Sequence, residues 1–97
     1  MNRADTLARL HQHLPVLTQR FGVLRLDLFG SVARDAAGPG SDVDVLVAFD
    51  GPATPEAYFG VQFYLEALLG RPVDLVTDRA LRAELRPYVE RDAIRIA

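Results

Sequence analysis

Residues 23–49 read VLRLDLFGSVARDAAGPGSDVDVLVAF, and this stretch decides the fold. Leu24, Leu26 and Leu28 alternate with Arg25, Asp27 and Phe29, the period of a strand with one apolar face. The run stops at Gly30. SVARDA suits a helical turn with Ser31 near its start. AGPGS is a loop by composition. DVDVLVAF, from Asp42 to Phe49, is dense in valine and bounded by turn residues, so it reads as a second strand.

Outward from this core the pattern is helical on both sides. Leu7, Leu10, Leu14, Leu17 and Phe21 recur at spacings of three and four, which predicts an amphipathic helix over Ala4 to Arg20. Pro15 is placed to kink or split it, and Gly22 to stop it. Downstream, Thr54, Pro55 and Glu56 are an N-cap, a first helical residue and a first-turn acid. That helix should run to Leu69 and end at Gly70, with Tyr58, Val61, Leu65, Leu68 and Leu69 as its apolar face. RPVDLVT is a short third strand. Asp78 is placed to cap a last helix, ALRAELRPYVERD, which Pro87 should interrupt. AIRIA is either a final short strand or the tail of that helix. The expected fold is mixed α/β (α+β): a small mixed sheet with helices packed on it, in one domain spanning residues 1–97.

Composition excludes several functions. No cysteine is present, so disulfides and thiolate metal sites are ruled out and any metal must be held by oxygen or imidazole. The net charge of −2, with no basic block, gives no general attraction to nucleic acid. No apolar run is long enough to span a membrane, and MNRADTLARL lacks the apolar centre of a signal peptide, so a cytoplasmic protein is expected.

Three features carry chemistry. Gly30-Ser31 stands where a strand meets a helical turn. Glycine permits close backbone approach, and the hydroxyl adds a donor suited to a phosphate. Asp42 and Asp44 lie two apart in a strand and so project from one face. Adjacent carboxylates repel unless a cation sits between them, and hard oxygen donors on a rigid element suit Mg²⁺. Solvated aspartates on an edge strand are the alternative, though aspartate is depleted in strands. Asp74 interrupts another short apolar strand. A neighbouring strand would bring it beside Asp42 and Asp44, and three such carboxylates can hold two Mg²⁺ ions, with Asp74 as the candidate general base. His11 and His13 are expected on the surface. Tyr58, Phe59, Phe63 and Tyr64 are expected in a core or an interface, and Arg79, Arg82 and Arg86 on a solvated helix face.

GSVAR, a short Gly/Pro loop, SDVDVLV and then VDLV together resemble the DNA polymerase beta superfamily of nucleotidyltransferases. The compact form, with the arginine of GSVAR and Ser41 before the first aspartate, is similar to the minimal nucleotidyltransferases. The resemblance runs from the first strand to RPYVERDAIRI. It implies that Asp42 and Asp44 bind metal, that Asp74 is the third, catalytic carboxylate, and that Gly30 and Ser31 hold the nucleotide's β- and γ-phosphates. Ser41 and Arg34 are counted with this nucleotide-binding set. Arg34 either contacts phosphate or pins the loop by pairing with an aspartate. Asp35 replaces the glycine usual after this arginine, a change expected to alter the loop or weaken anion binding modestly.

Larger relatives carry a helical domain for the acceptor, and 97 residues leave no room for one. The resemblance therefore implies an exposed acceptor site or a partner chain. Minimal nucleotidyltransferases are commonly antitoxins that transfer AMP from ATP, with Mg²⁺, to a tyrosine of a HEPN-family toxin. Two alternatives stand beside this. One is an antitoxin that neutralises its partner by occlusion without catalysis. The other is a nucleotidyltransferase acting on a small molecule or RNA, against which the acidic charge counts. Nucleotide preference and a homo-oligomeric state stay open.

Overall fold

The computed structural model describes residues 2–38, 40–81, 83, 84 and 86–96. The elements run α1 (Arg3–Phe21), β1 (Val23–Phe29), α2 (Gly30–Ala33), β2 (Val43–Phe49), α3 (Pro55–Leu69), β3 (Val73–Thr77), α4 (Arg86–Asp92) and β4 (Ile94–Arg95). The four strands form one sheet in the order β3-β2-β1-β4. β1 is antiparallel to β2 and β4, whereas β2 and β3 are parallel and joined by the crossover through α3. This is the mixed sheet with packed helices that the sequence predicts.

Local signals position the helices. The Asn2 side chain accepts a hydrogen bond from Asp5 N and caps α1, and Gly22 ends it in the left-handed region at φ 72°. α1 runs unbroken through Pro15. The Thr54 hydroxyl accepts from Ala57 N at the start of α3, and Gly70 (φ 67°) closes its other end. α1 and α3 lay Leu10, Leu17, Val61, Leu65 and Leu69 against Leu26, Leu28, Val43, Val45, Val47, Val73 and Leu75, all buried. Each such residue stabilises the fold by about 1.5–3 kcal/mol when fully buried. Side chains alternate between faces of a strand, so this core leaves Asp44, Leu46 and Ala48 of β2 on the opposite face, with Arg25 and Asp27 of β1 and Asp74 of β3.

Several expectations are corrected. The register of β1 shifts between Val23 and Arg25, so Val23 takes the inward place and Leu24 is 61% exposed. No long helix follows β3: residues 78–81, 83 and 84 are turns and bends, and α4 is confined to Arg86–Asp92. Pro87 is the second residue of α4, where its missing N–H costs nothing, so it opens the helix instead of interrupting it. Arg79 and Arg86 therefore share no helix face; Arg82, like Leu85, Pro39 and Ala97, lies outside the described residues. His13 is half-buried, with its ring Nδ1 2.7 Å from the Tyr64 hydroxyl. Of the four aromatics on α3, Tyr58 and Tyr64 pack on the core, while Phe59 and Phe63 are exposed and stacked on each other. The C-terminal alternative resolves as strand: β4 pairs with β1, placing Arg95 opposite Asp27.

Candidate active site

The three sequence-predicted aspartates converge at one end of the sheet. Asp44 is the second residue of β2, and its partner across the parallel ladder is Asp74, the second residue of β3. Neighbouring strands run about 4.8 Å apart, so two carboxylates on one face at matching positions meet directly. Asp42 precedes β2 by one residue and acts on Asp44 electrostatically. Asp42 and Asp74 are exposed and Asp44 is half-buried.

The other wall is glycine. Phe29 pairs with Asp44 across β1 and β2, which sets Gly30 against the Asp44 carboxylate. A Cβ built on Gly30 would stand 2.1 Å from Asp44 Oδ2 and 2.9 Å from its Cγ. Gly30 also adopts φ 73°, a conformation L side chains avoid. Position 30 thus has two independent reasons to be glycine, and the second is backbone conformation while the first leaves room for Asp44. Ser31 follows at the second position of α2, half-buried.

The carboxylates are in surplus. Among the described residues, no arginine or histidine forms an ion pair with Asp42, Asp44 or Asp74. Burial raises the Asp44 pKa above the ordinary carboxylate value. The negative charges of Asp74 and Asp42 raise it further, as does a hydrogen bond with Asp74, and only Arg34 opposes them. A divalent cation would relieve this arrangement. The donors are hard oxygens, and Mg²⁺ takes only one or two carboxylates alongside phosphate oxygens. Among the described residues no group of three acidic or histidine side chains stands close enough together to hold a metal ion by itself. An open set that a triphosphate completes fits that donor chemistry.

Arg34 and Ser41 take more specific places. Arg34 caps the C-terminal end of α2, and its Nη1 donates to Asp92 Oδ2 at 3.0 Å while its charge acts on Asp44. Of the two alternatives for Arg34, pairing with an aspartate is the one present. Ser41 Oγ accepts from Gly38 N at 3.0 Å, and Ser41 N donates to Gly38 O at 3.1 Å, a reciprocal pair that closes the loop before Asp42. Asp35 holds φ 59°, so the chain keeps a glycine-like conformation without glycine, and its carboxylate lies 3.4 Å from Arg3 N. A nearby cleft of about 440 Å³ is lined by Arg3, Asp5, Val32, Asp35 and Arg71 among others, and by none of the three aspartates.

Sequence reasoning missed Asp27. It reads as an outward strand residue, yet it is 2% exposed. Its Oδ2 accepts from Arg25 Nη2 at 2.7 Å and Nε at 3.1 Å. Its Oδ1 makes no hydrogen bond and lies 3.5 Å from Arg95 Nε. The hydrogen bond to Asp27 raises the Arg25 pKa above its ordinary value, against the opposing effect of burial. An acid between leucines in LDL is the available signal. Its arginine partner on β4 leaves none, because pairing across 68 residues has no local trace.

Residues 10–96 match the family described as nucleotidyltransferase domain. The chain is 39% identical over 85 residues to the protein adenylyltransferase MntA of Thermococcus cleftensis, covering 88% of this chain and 86% of that protein. It is similar in structure to a candidate minimal nucleotidyltransferase, with a TM-score of 0.81 and 40% identity over 97% of this chain and 95% of that one. The fold also matches a structure described as a tri-AMPylated Shewanella oneidensis HEPN toxin in complex with MNT antitoxin. The TM-score there is 0.67 and the identity 19%, over 94% of this chain and 71% of that one.

Proposed function

The chain belongs to the nucleotidyltransferase domain family, and on that premise we propose that it transfers AMP from ATP to a hydroxyl of a partner protein, a tyrosine of a HEPN-family toxin, and so acts as an antitoxin. The observation that carries the chemistry is the uncompensated carboxylate set of Asp42, Asp44 and Asp74 against the bare backbone of Gly30. Asp42 and Asp44, with Asp74, would hold two Mg²⁺ ions. Bound Mg²⁺ supplies charge neutralisation for the triphosphate and eases deprotonation of the attacking hydroxyl. Gly30 lets the β- and γ-phosphates approach the backbone, and the Ser31 hydroxyl donates to them. Asp74, the exposed member of the facing pair, accepts the acceptor's proton as its oxygen bonds to the α-phosphorus and pyrophosphate leaves. Ser41 keeps the loop closed so that Asp42 stays beside Asp44.

The acceptor assignment rests on two supports. One is the relative named a protein adenylyltransferase, and the other is the like-folded antitoxin bound to an AMPylated toxin. The exposure of Asp42 and Asp74 agrees with an acceptor brought by a second protein. The test is to incubate the chain with ATP, Mg²⁺ and the product of its neighbouring gene, then measure the intact mass of that product. Addition of one or more AMP groups is expected, and Asp42→Asn should abolish it while neutralisation by simple occlusion would survive the substitution. An unmodified partner in the presence of active metal overturns the proposal.

A further inference from the structure

Arg34 and Asp92 are 58 residues apart, yet they meet at the C-terminal end of α2, the turn that carries Gly30 and Ser31. Asp92 ends α4 and is 16% exposed at its side chain. Its place is fixed from the C-terminal side by β4. Ile94 pairs with Leu28, and Ile96 N donates to Leu26 O at 2.7 Å. The partner residues lie on β1, the strand that runs directly into Gly30. The strand that delivers the phosphate-binding turn therefore also anchors Asp92.

The ion pair is one-sided in a useful way. Asp92 Oδ2 accepts from Arg34 Nη1 alone, and Oδ1 lies 3.6 Å from Arg91 Nε. A guanidinium carries five N–H donors in a rigid fork. Held by one nitrogen, the Arg34 side chain, 50% exposed, keeps its remaining donors for another anion. The chain's eleven basic residues are all arginine, so a permanent cation for a triphosphate must be a guanidinium. Arg34 is the arginine whose charge reaches Asp44. An unrestrained arginine gives up rotamer freedom when it is fixed on a ligand. An arginine already held by a carboxylate has given up part of that beforehand.

We propose that Asp92 is a positioning residue for nucleotide binding, which holds the Arg34 guanidinium beside the aspartate cluster so that its free N–H donors engage the triphosphate. The role rests on the nucleotidyltransferase reading of the site and assigns Asp92 no contact with the substrate. Its sign is not trivial. A carboxylate that competed with phosphate for Arg34 would weaken binding, and its removal would tighten it.

The test uses the full chain with Mg²⁺ and a non-hydrolysable imido analogue of ATP, with binding measured by calorimetry so that no turnover is needed. Asp92→Asn should weaken binding about 5–10-fold, as expected for a lost charge-assisted constraint. Arg34→Ala should weaken it more, and the double variant should be no weaker than Arg34→Ala alone. Asp92→Glu should recover most of the loss. Binding of AMP, which lacks the β- and γ-phosphates, should be unchanged in Asp92→Asn. Thermal melts of each variant establish that it is folded under the assay conditions. Unchanged or tighter binding in Asp92→Asn overturns the proposal, and so does an equal loss in the Arg34→Ala background, which marks a purely structural role. Failure of the wild-type chain to bind the analogue overturns the nucleotidyltransferase reading itself. Normal wild-type binding with an insensitive Asp92→Asn overturns this inference alone.

Discussion

Asp27 and Asp44 project from neighbouring strands onto the same face of one sheet, and the fold treats them oppositely. Asp27 is almost fully buried and is compensated: Arg25 binds one oxygen and Arg95 stands near the other. Asp44 is half-buried, and its near neighbours are two more carboxylates and a glycine that leaves room for something else. An acid that the fold uses for itself is neutralised within the chain. An acid left in surplus, with the backbone cleared around it, is arranged for a cation from outside. The contrast separates structural from functional carboxylates without any appeal to a motif.

The contrast breaks most visibly at Asp44. Asp44→Asn should lower transfer by about 10³-fold or more, because the proposed metal ligand is lost while the shape is kept. A single-turnover assay on the partner protein measures this. Gly30→Ala attacks the same contact from the other side. The new methyl group meets the carboxylate, and the positive φ is strained. Transfer should fall by about 10²-fold, with a stability loss of about 1–3 kcal/mol by denaturant titration. Asp27→Asn should show the reverse profile. Removing one partner of a buried ion pair costs about 2–4 kcal/mol here, somewhat below the usual cost because Arg25 keeps some exposure to water. Its kcat/KM, measured well below the melting temperature, should match the wild type.

A smaller effect comes from the raised Asp44 pKa. The folded metal-free chain holds this proton more tightly than the unfolded chain does. Stability of the metal-free protein should therefore rise as the pH falls from neutral through the raised pKa, until the unfolded carboxyl is protonated as well. The gain should be small, because Asp44 is only half-buried and solvent screens its charged neighbours. It should vanish in Asp44→Asn, whose metal-free form should be the more stable at neutral pH. Melting temperatures against pH in the presence of a chelator check both statements. Mg²⁺ should flatten the wild-type profile.

How much of the fold and site is legible in the sequence depends on range. Thr54, Pro55, Gly22 and Gly70 act on backbone groups within a few residues, so their helix ends can be read directly. Asp42 and Asp44 share a strand, so their common face comes from its period of two. The expectation that a neighbouring strand brings Asp74 alongside depends on β2 and β3 being adjacent in parallel register, which no local pattern specifies. The failures have the same cause. Leu24 is displaced by a register shift that only its partner strand reveals. Asp27 and Arg95, like Arg34 and Asp92, are brought together by β4, a two-residue strand with too little sequence to show periodicity. Pro87 reads as a helix breaker because the residues before it look helical. The chain turns there instead, and the proline stands at the start of α4.

Gly30 also works as a record of descent. A chain can keep both aspartates of the Asp-x-Asp pair through many substitutions. A side chain at position 30, however, drives into Asp44. Among descendants of this domain, loss of that one glycine should therefore mark the lineages that have given up transfer and kept the fold for another use, even where every acidic residue of the site is still in place.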